Sequence, residues 1–214
     1  MDNLKEPYDF TKVEFDLFAA EYDSTAATVG RYIAHEKVGD SVRRYAPRGS
    51  QRVIDLGTGT GLLIPHLQSH FKNAAIIGTD FSRNMIEQAQ HKKLSATFVL
   101  ADLRAKDWPF EAEAYQVAAS SGVLEFIPDA VNFIKNTALL LSENGVAVLT
   151  YQRPSAGHVS RGASDIYPRT RDYMESSFWG AGLDIVDHEE FLAYEYRSKP
   201  VYYGIITGQK RHCV

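Results

Sequence analysis

Short apolar runs and amphipathic stretches alternate along the chain after residue 50. The apolar runs are typical of strands covered on both faces, and they lie at Arg52–Leu56, Ala74–Gly78, Ala96–Leu100, Gln116–Ser120 and Val146–Tyr151. Helical spacing of apolar residues predicts helices between them at Leu62–His70, at Arg83–His91 behind an N-capping Ser82, and at Ala130–Ser142. The alternation predicts an α/β fold in which helices connect parallel strands.

The last quarter of the chain has a different pattern. A helix is predicted over Arg171–Trp179, followed by strands at Leu183–Tyr194 and Val201–Gly208. The connection Glu195–Pro200 is too short for a parallel crossover, so these two strands should pair antiparallel. We therefore expect a mostly parallel sheet of seven strands with the last strand reversed and helices on both faces.

Two helices are predicted before residue 50, at Phe10–Tyr22 and Ala26–Arg44. Each carries an apolar stripe at helical spacing, so the pair are either ordinary packing helices or a cap over a site. We expect one domain over residues 1–214, with an N-terminal helical cap at 1–48 and an α/β core at 49–214.

Composition and charge restrict the classes of partner that this protein is expected to bind. The 214 residues include 23 basic and 27 acidic side chains, which gives no electrostatic reason to expect nucleic acid or an anionic membrane. The single cysteine, Cys213, excludes an internal disulfide and is consistent with a cytoplasmic protein. No apolar run approaches the roughly 20 residues that a membrane-spanning helix needs.

Three alternating glycines follow the first predicted strand, at Gly57, Gly59 and Gly61. Glycines let a ligand approach the main chain, and the following helix offers free N–H groups at the edge where such sheets bind ligands. Dinucleotide sites prefer Gly-x-Gly-x-x-Gly, whereas here the third glycine is one residue early. Asp55 before the loop suits an ammonium group better than a pyrophosphate. A simple strand–helix turn remains the alternative.

Acidic residues end the next two predicted strands. Asp80 follows Asp55 by 25 positions, where a carboxylate can accept both hydroxyls of a ribose. Asp102 ends the third strand, where it could accept a hydrogen bond from an exocyclic amine. Each acid alone is equally typical of a helix N-cap, but together with the glycine loop they indicate a nucleoside-containing ligand.

These motifs resemble the class I S-adenosylmethionine-dependent methyltransferases, the small "type 11" kind in particular. The resemblance implies a Rossmann-like fold with S-adenosylmethionine as the cofactor. No metal site is expected, because the helical pair His66 and His70 lacks the glutamate of the metalloprotease motif. It also implies that the segment from Ser120 to Asp129 begins beneath the reactive methyl and that the N-terminal helix closes over the cofactor. The implied cofactor contacts are Tyr22, Asp55, Gly57, Thr58, Gly59, Gly61, Asp80, Phe81, Met85, Ala101, Asp102, Leu103 and Ser120.

Methyl transfer needs a general base only if the acceptor must lose a proton. The candidates are His158, in the long segment after the fifth strand, His35 and Glu125; His188 is expected to be structural. Arginines around that same segment either meet an acidic acceptor or are solvated, and these are Arg153, Arg161, Arg169 and Arg171.

The expected acceptor is a small molecule methylated on oxygen or nitrogen. The Asn/Asp-Pro-Pro-Tyr motif of nucleobase methyltransferases is replaced here by Ser120-Ser121-Gly122-Val123. A protein or peptide methyltransferase, or a cofactor-binding protein of this fold without methyltransferase activity, is the alternative. The sequence leaves the oligomeric state open.

Overall fold

A computed structural model of the chain describes residues 10–28, 32–154, 165–196 and 198–211. The helices are α1 (Phe10–Phe18), α2 (Tyr22–Thr28), α3 (Ala34–Tyr45), α4 (Ile64–His70), α5 (Arg83–His91), α6 (Ala130–Leu140) and α7 (Arg171–Gly180), with a 3-10 turn at Leu124–Phe126. The strands are β1 (Arg52–Leu56), β2 (Ala75–Asp80), β3 (Thr97–Leu100), β4 (Tyr115–Ser120), β5 (Leu141–Gln152), β6 (Leu183–Tyr196) and β7 (Lys199–Lys210).

The strands form a sheet in the order β3-β2-β1-β4-β5-β7-β6. Strands β1 to β5 pair in parallel, and β7 runs antiparallel to both β5 and β6. The predicted fold class and the reversed last strand are therefore confirmed. The strand order changes direction between β1 and β4, and in open α/β sheets the crevice at such a point, outside the carboxyl ends of the strands, binds the ligand.

Each face of the sheet carries its own apolar layer, because side chains alternate along each strand. Ile54 and Leu56 of β1 pack with α6 and α7 through residues such as Phe133 and Phe178. Val53 faces the other layer with helices α3 and α4, whose contributions include Val38, Val42, Ile64 and Leu67. The buried faces of these helices explain their periodic apolar positions in the sequence.

The N-terminal prediction was wrong in its boundaries. The expected helix Phe10–Tyr22 ends at Phe18, and the expected helix Ala26–Arg44 is replaced by α2 and α3. Immediately before α3, the Ile33 N–H donates to the Ala193 carbonyl of β6 at 3.3 Å, a tertiary contact in place of a helical hydrogen bond.

The junction of α6 and β5 also differs from the prediction. The helix was expected to reach Ser142, but it ends at Leu140 and β5 begins at Leu141. Leu141 pairs with Tyr115 of β4, and the register shifts before the pair Val117–Val146. The last two residues of the predicted helix, Leu141 and Ser142, therefore belong to strand β5. Within the described ranges, no helix is both long and apolar enough to span a membrane.

Candidate functional site

The loop between β1 and α4 has a backbone that requires glycine. Gly57, Gly59 and Gly61 have φ values of +75°, +55° and +86°, in the left-handed region that other residues rarely adopt. A Cβ built on Gly57 would lie 2.2 Å from Cγ2 of Val123, whereas a Cβ built on Gly59 would meet no heavy atom within 4 Å. The loop therefore packs tightly at Gly57 and borders open space at Gly59.

Asp55 lies beneath this loop with 1% of its surface exposed. One carboxylate oxygen accepts a hydrogen bond from the Thr58 hydroxyl at 2.7 Å. Burial raises the pKa of Asp55 to about 7, an effect that the bond from Thr58 opposes and the nearby Asp80 reinforces. Since a cation stabilises the charged form of a buried carboxyl, this site favours a positively charged ligand group.

Asp80, at the end of β2, is bound by the backbone on both sides. One oxygen accepts from the N–H of Gly59 at 2.9 Å, and the other accepts from the N–H of Ser82, also at 2.9 Å. Burial raises the pKa of Asp80 to about 6, although these hydrogen bonds lower it. Each carboxylate oxygen has a second lone pair, so the group can still accept hydrogen bonds from a ligand.

A largely apolar cleft, partly open to solvent, runs from the glycine loop along the strand ends. Six of the predicted cofactor residues line it, namely Gly57, Asp80, Phe81, Ala101, Asp102 and Leu103. The rest of the lining comes from α1, from the loop after β3 and from the segment after β4, through Thr11, Phe15, Arg104, Gly122, Val123, Phe126 and Ile127. The structure thus brings together the ends of β1, β2, β3 and β4 around one cleft.

Arg104 is a cleft residue that sequence reasoning missed. Its Nε and Nη2 contact the carboxylate oxygens of Asp102 at 2.9 and 2.6 Å, and its guanidinium lies 4.9 Å from the centre of the Phe81 ring. The charge of Asp102 is therefore balanced within the protein. The signal in the sequence was a basic residue two positions after a strand-end acid, which is too common to single out.

The N-terminal helices are attached to the same loops by two carboxylates. Asp16 of α1 accepts a hydrogen bond from the hydroxyl of Ser82, the N-cap of α5. Asp23 of α2 accepts from the hydroxyl of Thr60 in the glycine loop. Tyr22 is not among the residues that line the cleft; its ring centre lies 5.7 Å from that of Phe18.

Two other predicted cofactor residues lie behind the cleft wall. Met85 has 1% of its surface exposed, and its N–H donates to the Ser82 hydroxyl at 3.1 Å. The hydroxyl of Ser120 donates to the carbonyl of Leu56 at 2.8 Å and ties β4 to β1. Both contacts support the walls of the cleft; a direct contact of these two side chains with the cofactor stays a prediction.

Polar side chains gather beside the cleft, past the end of β4. Glu125 has 2% of its surface exposed and accepts a hydrogen bond from the Tyr203 hydroxyl of β7. The Tyr32 hydroxyl lies 3.1 Å from that of Ser121. A Cβ built on Gly122, a cleft residue, would lie 2.2 Å from the Tyr32 oxygen, so only glycine permits this close approach.

His35 borders this polar cluster. Its ring stacks on Tyr32 with 5.8 Å between the ring centres, and the ring of His66 is 5.5 Å away. Burial, and secondarily His66, lowers the pKa of His35, which favours the neutral imidazole. His158, the remaining candidate base, lies outside the described residues.

His188 belongs to a different region of the molecule. Its Nδ1 lies 2.8 Å from a carboxylate oxygen of Glu175 on α7, and its Nε2 lies 2.8 Å from the Tyr151 hydroxyl. Both ring nitrogens are therefore engaged in the packing of α7 against the sheet. This agrees with the structural role expected for it.

The carboxylates around the cleft and its glycine loop fit one cofactor better than another. Two buried carboxylates beside an open glycine loop offer hydrogen-bond acceptors and negative charge, which match ribose hydroxyls and an ammonium group. The same carboxylates would repel a pyrophosphate. The residues present therefore fit S-adenosylmethionine and disfavour a dinucleotide.

Comparison with known proteins agrees with this fit. Residues 53–145 match the family model described as "Methyltransferase domain". The chain is 28% identical over 138 residues to malonyl-acyl-carrier-protein O-methyltransferase of Bacillus anthracis, which covers 64% of this chain and 50% of that protein. It is 26% identical over 187 residues to the ubiquinone/menaquinone biosynthesis C-methyltransferase UbiE of Desulfotalea psychrophila, which covers 84% of this chain and 71% of that one. The chain thus spans about half the length of the first relative.

Among solved structures, the chain is similar to the 1,6-didemethyltoxoflavin-N1-methyltransferase of Burkholderia thailandensis, determined with S-adenosylhomocysteine bound. The TM-score is 0.71 at 17% identity, and the match covers 99% of this chain and 93% of the other. This likeness concerns the fold. Taken with the match of residues 53–145 to the methyltransferase-domain model and with the cleft, it supports a methyltransferase domain in this chain with S-adenosylmethionine as its cofactor.

Proposed function

We propose that this protein transfers a methyl group from S-adenosylmethionine to an oxygen or nitrogen atom of a small-molecule acceptor. The observation that carries the proposal is the pair of buried carboxylates, Asp55 and Asp80, around a glycine loop that borders open space. Asp80 lines the cleft and Asp55 lies beneath the glycine loop, and burying two acids so close together is costly unless a ligand completes their interactions. A polar cluster past the end of β4 supplies the side chains that an acceptor would need.

In this proposal the glycine loop holds the methionine part of the cofactor, with Asp55 opposite its ammonium group. Asp80 accepts hydrogen bonds from the ribose hydroxyls. Phe81, Ala101, Asp102 and Leu103 surround the adenine; Tyr22, Met85 and Ser120 complete the predicted contacts. The apolar walls exclude water, which strengthens each of these electrostatic interactions.

When bound, the cofactor supplies a methyl group already activated on a sulfonium. The chain's contribution is to orient the acceptor in line with that methyl, and such positioning can be worth roughly 7–11 kcal/mol. Glu125 and His35 are the described side chains able to take a proton from a phenol or amine, with Glu125 held by Tyr203. His158 remains a third candidate.

The relatives differ in their acceptors and in the atom they methylate. Their names specify an oxygen of malonyl-acyl-carrier protein, a carbon in ubiquinone/menaquinone biosynthesis and the nitrogen N1 of 1,6-didemethyltoxoflavin. For this chain, a carboxylate and two phenols in the cluster favour an acceptor with a polar N–H or O–H. A protonated heteroatom needs a group that removes the proton, and Glu125 beside the cleft is the group proposed for this step.

The experiment is methyl transfer from S-adenosylmethionine labelled on the methyl group to a panel of phenols, amines, carboxylic acids and peptides. Label in a phenol or amine, with release of S-adenosylhomocysteine, is the expected result. Label only in peptides would replace the small-molecule acceptor. Saturable cofactor binding without transfer to any acceptor would favour a cofactor-binding protein of this fold.

A further inference from the structure

Arg169 is buried where a solvated loop residue was the default expectation. Only 7% of its surface is exposed, although it follows the segment after β5 and precedes α7. Burying a guanidinium is costly unless all sides of it are bound. Arg171, two positions later, differs from Arg169, because its side chain is half exposed and pairs with Glu175.

The guanidinium of Arg169 binds backbone carbonyls from two directions. Nη1 donates to the carbonyl of Leu124 at 2.8 Å and to that of Tyr167. Nη2 donates to the carbonyl of Ile127 and, at 3.3 Å, to that of Pro128. The planar fork of arginine reaches these carbonyls together, which the single ammonium of lysine cannot do.

The carbonyls of Leu124, Ile127 and Pro128 belong to the segment that forms one wall of the cofactor cleft. Val123, Phe126 and Ile127 line the cleft, and Glu125 lies between them in sequence. No regular strand or long helix holds this segment, since it contains only a three-residue 3-10 turn. Its shape therefore depends on hydrogen bonds from elsewhere.

Backbone hydrogen bonds also connect the stretch 165–170 to the end of β5 and to the cleft wall. The Arg169 N–H donates to the carbonyl of Gln152 at 2.9 Å, and the Tyr167 N–H donates to the carbonyl of Glu125 at 2.8 Å. Burial lowers the pKa of the Arg169 guanidinium, and the nearby carboxylate of Glu125 opposes this effect. The stretch 165–170 is thus connected to the end of β5, to the cofactor wall and to Glu125.

We infer that Arg169 is a positioning residue that fixes the cofactor wall and the backbone of Glu125 to the segment returning from β5. The inference rests on the proposed function, because it assigns this wall to cofactor binding. It predicts that cofactor affinity depends on a guanidinium that itself points away from the cleft, into backbone carbonyls. It also predicts that cofactor binding stabilises residues 165–170.

The first test compares Arg169→Ala and Arg169→Lys with Arg171→Ala and Arg171→Lys as matched controls. Affinity for S-adenosylhomocysteine is measured by calorimetry, and folding by circular dichroism and thermal unfolding. We expect both Arg169 variants to bind about tenfold more weakly or worse, because charged hydrogen bonds to the wall are lost. Both Arg171 variants should stay within about twofold of the unmodified protein, as expected for an exposed pair.

Chemical rescue separates positioning from general stability. Millimolar guanidinium chloride should restore affinity to Arg169→Ala, whereas the same concentration of sodium chloride should not. A folded Arg169→Lys variant that binds S-adenosylhomocysteine as tightly as the unmodified protein would overturn the inference.

A second test needs no variant and therefore stands even if the substitutions prevent folding. Saturation of the unmodified protein with S-adenosylhomocysteine should slow amide hydrogen exchange at Tyr167 and Arg169. Unchanged exchange in the saturated protein would contradict the coupling. If the unmodified protein does not bind S-adenosylhomocysteine at all, the proposed function fails and this inference fails with it.

Discussion

The two halves of the site are built differently. The cofactor side consists of a contiguous glycine loop and acids at successive strand ends, so its residues are set by local backbone geometry. The proposed acceptor side brings together Tyr32 before α3, Glu125 in the turn after β4 and Tyr203 of strand β7. The residues of the cofactor side therefore lie in short sequence motifs, whereas those of the proposed acceptor side are brought together only by the tertiary fold.

This difference should separate the two sides in experiments. Changes to the glycine loop remove a backbone conformation and should act on cofactor binding. Changes to the polar cluster remove a side-chain function and should act on turnover with little effect on cofactor affinity. The predictions below are ordered by the size of the expected effect.

The largest effect is expected from Gly59→Val. A β-branched side chain at a φ of +55° is strained, and it would occupy the open space beside the loop. Calorimetry should detect no binding of S-adenosylhomocysteine. Gly49→Val is the matched control, because Gly49 has a φ of +75° and equally open surroundings but lies in the loop before β1. Binding retained by Gly59→Val would reduce the loop to a simple turn.

The second effect concerns Glu125→Gln on the acceptor side. Loss of a proton-accepting group should lower kcat by roughly a hundredfold for a phenol or amine acceptor, since general bases contribute about that much or more. Glutamine still accepts from the Tyr203 hydroxyl, so cofactor affinity should change less than about twofold. A variant that loses cofactor affinity instead would erase the distinction between the two sides. Unchanged kcat would assign the proton to another base, with His35→Gln as the next variant to measure.

The smallest effect is the pH dependence of cofactor affinity. Burial raises the pKa of Asp55 to about 7 and that of Asp80 to about 6, while a bound ammonium group favours the charged carboxylate. Binding of S-adenosylhomocysteine should therefore release protons, and affinity should rise by about tenfold as pH increases through this range. The proton count comes from calorimetry in buffers of different ionisation enthalpy. Asp55→Asn should flatten the dependence, and uptake of protons would contradict the assigned charge.

Much of the fold and of the cofactor side could be predicted from the sequence. Alternating apolar runs indicated the sheet, and the short link Glu195–Pro200 indicated the reversed last strand. The sequence motifs singled out three glycines and the strand-end acids Asp80 and Asp102. The structure places the glycines in one loop and both acids in the lining of the adjacent cleft. Such features can be predicted from the sequence because each depends on a few neighbouring residues.

The remaining features depend on contacts that are distant in sequence. Helix α3 begins at Ala34 because the preceding backbone bonds to β6, about 160 residues further along the chain. In the sequence Arg169 resembles any loop arginine, and only the structure shows its hydrogen bonds to the carbonyls of Leu124 and Ile127. Tyr203 similarly has the pattern of an ordinary strand residue. No local pattern distinguishes such residues from structural ones.

The central claim is tested most directly by one calorimetric experiment on the unmodified protein and Asp80→Asn, with S-adenosylhomocysteine and NAD as ligands. The account predicts saturable binding of S-adenosylhomocysteine by the unmodified protein, roughly ten- to a hundredfold weaker binding by Asp80→Asn, and no binding of NAD. Equal affinity of the two proteins would remove Asp80 from the site. Binding of NAD in place of S-adenosylhomocysteine would contradict the assignment of the cleft.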